Sequence, residues 1–223
     1  VGIIADVRGR QARSAFAWGV TVAGVELGLT LYLLAQFQPH APGLQFVERI
    51  ELFSWLPYHV GVDGVGVLFL PLTALLTLFV MLYAQPHRWE QPGAFVANIL
   101  GVELALMGMF TALDLLQFWL FALAEVIPAT LLIQRWGTSP ARGRAAAQYV
   151  RSMLGGLAGL LAGIVLLGWH HAAAAGQWSF DLPALLATPV PAGQQSFMFI
   201  LLFGGLAVRL ALFPFHSWLP IVA

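Results

Sequence analysis

The chain is 223 residues long, 60% hydrophobic and only 9% charged, the balance of a protein embedded in a membrane. With no cysteine it can hold no disulfide, thiolate metal site or iron–sulfur centre of its own, and with zero net charge it lacks the basic footprint of a nucleic-acid binder. All ten of its Lys/Arg positions are arginine.

Val1–Arg13 carries Arg8, Arg10 and Arg13 and reads as a cytoplasmic basic loop following a helix that lies outside the sequence. Ser14–Phe37 is the first complete apolar run, with Glu26 near its centre and nothing around it to suggest a break or a partner. Gln38–Gly61 is polar and irregular, with Pro39, Pro42, Pro57, Glu48, Arg49 and Glu51, and is read as an extracytoplasmic loop. Val62–Ala84 is a second span, bent by Pro71. Residues 14–84 thus form a unit of two helices and a loop. Gln85–Pro92 is a tight connector with His87, Arg88 and Glu90. Gly93–Ala112 is the third span, with Glu103 in its middle between Gly101 and Gly108. Asp114 marks a short turn into the fourth, Leu115–Trp136.

Glu125 lies near the centre of that fourth span. A carboxylate there costs about 2.5–3.5 kcal/mol even on lenient insertion scales, and is kept only inside a bundle or beside water. Pro128 follows three residues later and deprives the carbonyl of Ala124 of its helical partner. An ionisable group and a freed carbonyl side by side at mid-depth are the materials of an ion or proton site.

Gly137–Arg144 is another basic loop, with Pro140, Arg142 and Arg144. Ala145–Trp169 is the fifth span, rich in Gly and Ala as close helix packing in lipid favours. His170–Gln195 is a loop; its vicinal His170 and His171 do not share a helix face, so a surface role outweighs a metal site. Ser196–Pro220 is the sixth span, with Arg209 inside it and breaks at Pro214 and Pro220. When loops are assigned to alternating sides, Arg8, Arg10, Arg13, Arg88, Arg135, Arg142 and Arg144 fall on one side and Arg49 alone on the other. By the positive-inside rule the first side is cytoplasmic.

The arrangement at Glu125 recurs at Arg209, where Pro214 frees the carbonyl of Leu210. Two spans each carry a charge beside a proline break, and the charges are opposite. Glu125 and Arg209 are therefore expected to face each other, since a pair in low dielectric tolerates what neither charge tolerates alone. His216 is seven residues, about two turns, beyond Arg209 and is expected to lie deep, as a proton carrier or as a hydrogen-bonding group at the break. Each intramembrane charge is compatible with a structural ion pair as well as with ion transfer.

The stretches YHVGVDGVGV (Tyr58–Val67), FTALDLLQFWLFALAEVIPATLLIQRWG (Phe110–Gly137) and VRLALFPFHSWLP (Val208–Pro220) resemble the antiporter-like membrane subunits of respiratory complex I, the subunit M or subunit 4 type, and the related large subunits of Mrp antiporters. The resemblance covers roughly residues 14–220. It implies an all-α polytopic membrane protein, with six complete transmembrane helices here. These would form the first of two inverted repeats in a ~14-helix fold, with residues 85–223 the first repeat, truncated after a broken helix at Pro214. The chain is accordingly expected to be incomplete at both ends. The resemblance further implies a proton-translocating subunit of an NADH (or other donor):quinone oxidoreductase, with no cofactor on this chain. Flavin, iron–sulfur clusters and quinone would be held by partner subunits. Other membrane-arm subunits, lipids and protons would be its partners, and a bacterial cytoplasmic membrane its location. The family also implies a cation/proton antiporter, a proton-driven module of a membrane hydrogenase or inorganic-carbon uptake system, or a non-conducting structural subunit as alternatives.

In the family's pattern Glu125 is the acid of a glutamate–proline helix, Arg209 its counter-charge, and Glu103 a second acid able to join the relay. Two departures stand out. Arginine occupies a position where the family usually has lysine, and arginine does not release its proton. The usual acid stands five residues before the proline, which here is Leu123; Glu125 is two residues later, a rotation of about 200° around the helix.

Overall fold

The computed structural model describes residues 2–41, 43–53, 56–84 and 90–222. The connector residues His87 and Arg88, and with them one part of the arginine distribution, lie outside the described residues. Helices α1 (Gly2–Gln36), α2 (Gly66–Ala84), α3 (Pro92–Thr111), α4 (Leu115–Trp136), α5 (Arg142–Ala175) and α7 (Ala192–Arg209) form the bundle, with short helices α6 (Leu182–Leu186) and α8 (Leu219–Val222). Among the described residues five helices are long and apolar enough to cross a membrane, α1 to α5, and the protein is an integral membrane protein.

Four expectations are corrected. Residues 2–13 are helical, continuous with the first span, because Ala, Arg and Gln are good helix formers and no proline interrupts them. The apolar part that can lie in the bilayer begins at Ala12. The segment after α1 is not irregular: Gln45–Phe53 (β1) and Leu56–Val62 (β2) pair as an antiparallel hairpin, with shifts in register that accommodate its mixed charged and apolar pattern. Helix α5 continues through His170 and His171 to Ala175, where Gly176, at φ 78°, supplies the left-handed stop. The sixth span is a shorter helix that begins at Ala192 and stops at Arg209, and it is not among the five.

Local chemistry accounts for the helix starts. Asp63 Oδ1 accepts from the N–H of Gly66 at 2.6 Å and Asp114 Oδ1 from those of Leu116 and Gln117 at 2.9 and 3.0 Å, which closes the first turns of α2 and α4. Helices α5 and α7 meet through glycines: a Cβ on Gly205 would stand 2.7 Å from the carbonyl oxygen of Gly156. The main apolar core runs between α3, α4, α5 and the chain after α7, through Met109, Val126, Tyr149, Met153, Leu157 and Trp218.

At the hairpin end, a polar cluster ties the loops to the bundle. His59 Nδ1 is 2.6 Å from Asp181 Oδ1, and Arg49 Nη1 is 3.6 Å from Asp181 Oδ2. Gln117 Oε1 accepts from the backbone N–H of His59, and the N–H of Leu113 donates to the carbonyl of the same residue. Asp114, 1% exposed, has its carboxyl raised above the usual aspartate range, chiefly by burial; the backbone N–H groups of Gln117 and Leu116 oppose the shift.

Candidate functional site

Glu125 is the eleventh residue of α4, about 15 Å along a helix of 22 residues and therefore near mid-depth. The helix runs unbroken through Pro128. Gly101 of α3 packs against the proline ring, where an added Cβ would lie 3.4 Å from Pro128 Cβ, so the neighbouring helix sits close to the turn below the acid.

Arg209 is the last residue of α7. Beyond it the chain leaves the helix: Leu210 caps it, Ala211 takes a left-handed conformation at φ 49°, and a cis Phe213–Pro214 peptide leads into a 3-10 turn, Phe215–Trp218. The guanidinium reaches from this break to α4. Its Nη2 stands 3.1 Å from Glu125 Oε2 and 3.7 Å from Met109 Sδ, while Nη1 donates to the carbonyl of Ala122 at 3.0 Å. That carbonyl is two residues before Ala124, whose carbonyl Pro128 leaves without its helical donor. The Glu125 and Arg209 side chains are 12% and 14% exposed. The carboxylate two residues away from the family's usual position thus still faces its counter-charge.

Tyr149, the one tyrosine of α5, completes the pair's surroundings. Its hydroxyl donates to Glu125 Oε1 at 3.2 Å, with Oε2 at 3.5 Å. Trp218 packs edge-on against the Tyr149 ring, with centroids 5.6 Å apart, and its indole N–H donates to the carbonyl of Val208. The turn after Pro214 therefore folds back over the site, and a buried tryptophan covers the tyrosine that holds the acid. Sequence reasoning missed both residues. The sequence offered no signal for Tyr149, a single tyrosine in a long, mostly apolar helix that also carries Gln148, Arg151 and Ser152. For Trp218 the signal was a bulky ring directly after a proline break.

The other residues expected at the site are placed elsewhere. His216 is exposed, stacked on Phe213 at 5.7 Å, because the chain turns outward at Ala211 and does not continue the helix that would have carried His216 inward. Glu103 is 1% exposed, in the middle of α3, and neither of its carboxyl oxygens has a hydrogen-bond partner among the described residues. His170 Nε2 lies 2.9 Å from the carbonyl oxygen of Pro189, and His171 Nδ1 2.7 Å from Thr188 Oγ1, so the two rings fasten the end of α5 to the segment that follows α6.

Residues 112–223 match the family model described as NADH:quinone oxidoreductase/Mrp antiporter, transmembrane. The chain is 31% identical over 204 residues to F(420)H(2) dehydrogenase subunit M of Methanosarcina mazei, an alignment covering 87% of the chain and 40% of that protein. It is 32% identical over 207 residues to NADH-quinone oxidoreductase subunit M of Rhodobacter capsulatus, covering 90% of the chain and 40% of the relative. Among solved structures, a chain of respiratory complex I from Thermus thermophilus with bound NADH superposes with a TM-score of 0.81 at 31% identity, over 93% of this chain and 42% of that one. The chain spans about two fifths of the length of the curated relatives it matches.

Proposed function

Because the chain belongs to the NADH:quinone oxidoreductase/Mrp antiporter transmembrane family, we propose that it carries protons across the membrane as part of a complex I-like assembly, with Glu125 as the exchanging group and Arg209 as its fixed counter-charge. The observation that supports this most is the buried contact between Glu125 Oε2 and Arg209 Nη2 at 3.1 Å. In a low-dielectric bundle the proton affinity of a carboxylate depends steeply on the distance to its cation. The guanidinium and the Tyr149 hydroxyl both donate to the Glu125 carboxylate, so withdrawal of the guanidinium takes away one of the two groups that hold it. Arginine keeps its own proton, so the acid is the member of the pair that changes state.

The position of Arg209 suits such movement. It closes a helix that ends there, and the turn after it is tied back to α7 by the N–H groups of Ala211 and Leu212, which donate to the carbonyls of Val208 and Ala207, and by the buried Trp218 ring with its indole hydrogen bond. A shift of that turn carries the guanidinium with it. Glu103 and waters would extend the path, and helix movement driven by electron transfer on partner subunits would supply the energy. Those partners would be the other membrane-arm subunits, in a bacterial cytoplasmic membrane, with flavin, iron–sulfur clusters and quinone outside this chain.

The test is proton flux in membrane vesicles containing the assembled complex. Glu125→Gln keeps the shape and removes the exchangeable charge, and flux is expected to fall by about 100-fold, the scale of a lost proton-transfer group. Unchanged flux would favour a structural subunit. That second reading has its own support: Arg209 also holds the carbonyl of Ala122, as a group serving only to join α7 to α4 would.

A further inference from the structure

Helix α5 turns one face away from the bundle. Its inner face places Met153, Leu157, Leu160 and Ile164 in the core. The outer face carries Arg144, Arg151, Leu154, Ala158, Val165 and Trp169, all exposed. They are spaced by three, four or seven residues, which keeps them on one side of a helix. The stripe is basic at its start, apolar in its middle and aromatic at its end.

That order matches a bilayer. Helix α5 has 34 residues and is about 51 Å long, whereas the hydrocarbon layer is about 30 Å thick, so part of the helix stands outside it. Arg151 and Trp169 are separated by about 27 Å along the axis. Tryptophan favours the boundary between lipid and water, and a long cationic side chain near that boundary bends toward the water. Arg151 bends in this way: its Nε donates to the carbonyl of Ala147 at 3.2 Å, one turn nearer the start of α5. The two residues thus mark the two boundaries, and the apolar part of the stripe spans the hydrocarbon between them.

The same bend carries the Arg151 guanidinium toward Arg144. Arg135 and Arg142 stand at this end too, where Arg142 Nη1 donates to the carbonyl of Arg135 at 3.2 Å. All four arginines are exposed, and none of them forms an ion pair with a carboxylate among the described residues. Permanent cations gathered without an acid repel one another and attract an anion. The planar guanidinium fork matches the oxygens of a phosphate. A free phosphate answers the charge and leaves the apolar stripe beside it uncovered; a phospholipid answers both.

We propose that Arg144 and Arg151 hold the phosphate headgroup of an anionic phospholipid, with an acyl chain lying along Leu154, Ala158 and Val165. A zwitterionic lipid is disfavoured there, because its ammonium group meets the same four arginines. The inference does not depend on proton conduction through Glu125, and it is tested without a flux measurement.

The experiment is photo-crosslinking of the intact membrane complex in phosphatidylcholine vesicles that contain a little phosphatidylglycerol with a photoreactive acyl chain. Peptide mapping is expected to find the label on α5, between Arg151 and Val165. Unlabelled phosphatidylglycerol should compete, and inorganic phosphate should not. Arg144→Gln and Arg151→Gln should each lower the labelling about fivefold, the scale of one basic side chain at an anionic membrane surface. Replacement of both arginines by lysine should retain most of it. Equal labelling by a photoreactive phosphatidylcholine, competition by inorganic phosphate, or unchanged labelling in the glutamine variants would overturn the proposal. Crosslinks from this face of α5 to a neighbouring protein in place of lipid would overturn it as well. If a glutamine variant fails to assemble, the headgroup preference of the unmodified complex decides by itself.

Discussion

Glu125 and Glu103 lie near the middle of adjacent helices, α4 and α3, yet their surroundings differ in kind. Glu125 meets a guanidinium at 3.1 Å and a tyrosine hydroxyl at 3.2 Å. Glu103 is more deeply buried, at 1% exposed, and neither of its carboxyl oxygens has a hydrogen-bond partner among the described residues. The first environment supplies a cation and a hydroxyl to its carboxylate; the second is apolar but for Thr73 and Thr77. The same residue type therefore meets two different settings in one bundle.

The largest effect should come from removing the cation at the first site. Arg209→Met leaves Glu125 buried without its partner, and loss of one member of a buried pair costs about 3–5 kcal/mol. Thermal unfolding in detergent should show it, and a loss well under 1 kcal/mol would mean that the pair is not what holds α7 to α4. Next in size is Tyr149→Phe, which removes one hydrogen bond to a charged group, a change of about 1.5–3 kcal/mol. Read by the same melt, a neutral result would place the hydroxyl outside the site. Glu103→Gln should behave in the opposite manner to these and stay within about 1 kcal/mol of wild type, because an isosteric amide keeps the buried shape and breaks no ion pair. A large loss there would show that the charged form of Glu103 is the one the fold requires.

The smallest effect concerns Asp114 at the hairpin end. Its carboxyl is raised, mainly by burial, so the folded state holds that proton more tightly than the unfolded chain does. Its contribution to stability is therefore present below the ordinary aspartate range and is lost as pH rises through the raised value. Asp114→Asn retains a capping oxygen without the titration. Melts across acidic pH should show the variant gaining on the wild type as pH rises, and parallel curves would refute the assignment.

How far the fold and site could be read beforehand follows from the kind of contrast each residue makes. Glu125 and Arg209 stand out because charges in apolar runs are rare and each has a proline nearby. Their contact follows from charge balance even though 84 residues separate them. Tyr149 makes no such contrast, since a tyrosine is unremarked in an apolar span, and only the packing of α5 on α4 turns it toward the acid. The hairpin was hidden by Pro57 and by charges that interrupt its alternation. His216 misled through helical arithmetic: two turns past Arg209 is deep only if the helix continues, and it stops at Arg209.

The most direct measurement is a thermodynamic cycle on the central pair, using Glu125→Gln, Arg209→Met and the double variant in the same lipid or detergent. Groups in contact couple, so the double variant should recover a large part of the stability that Arg209→Met loses, because the stranded carboxylate is gone. Losses that simply add would mean that Glu125 and Arg209 do not meet in the membrane, and the proposed proton site would have no counter-charge.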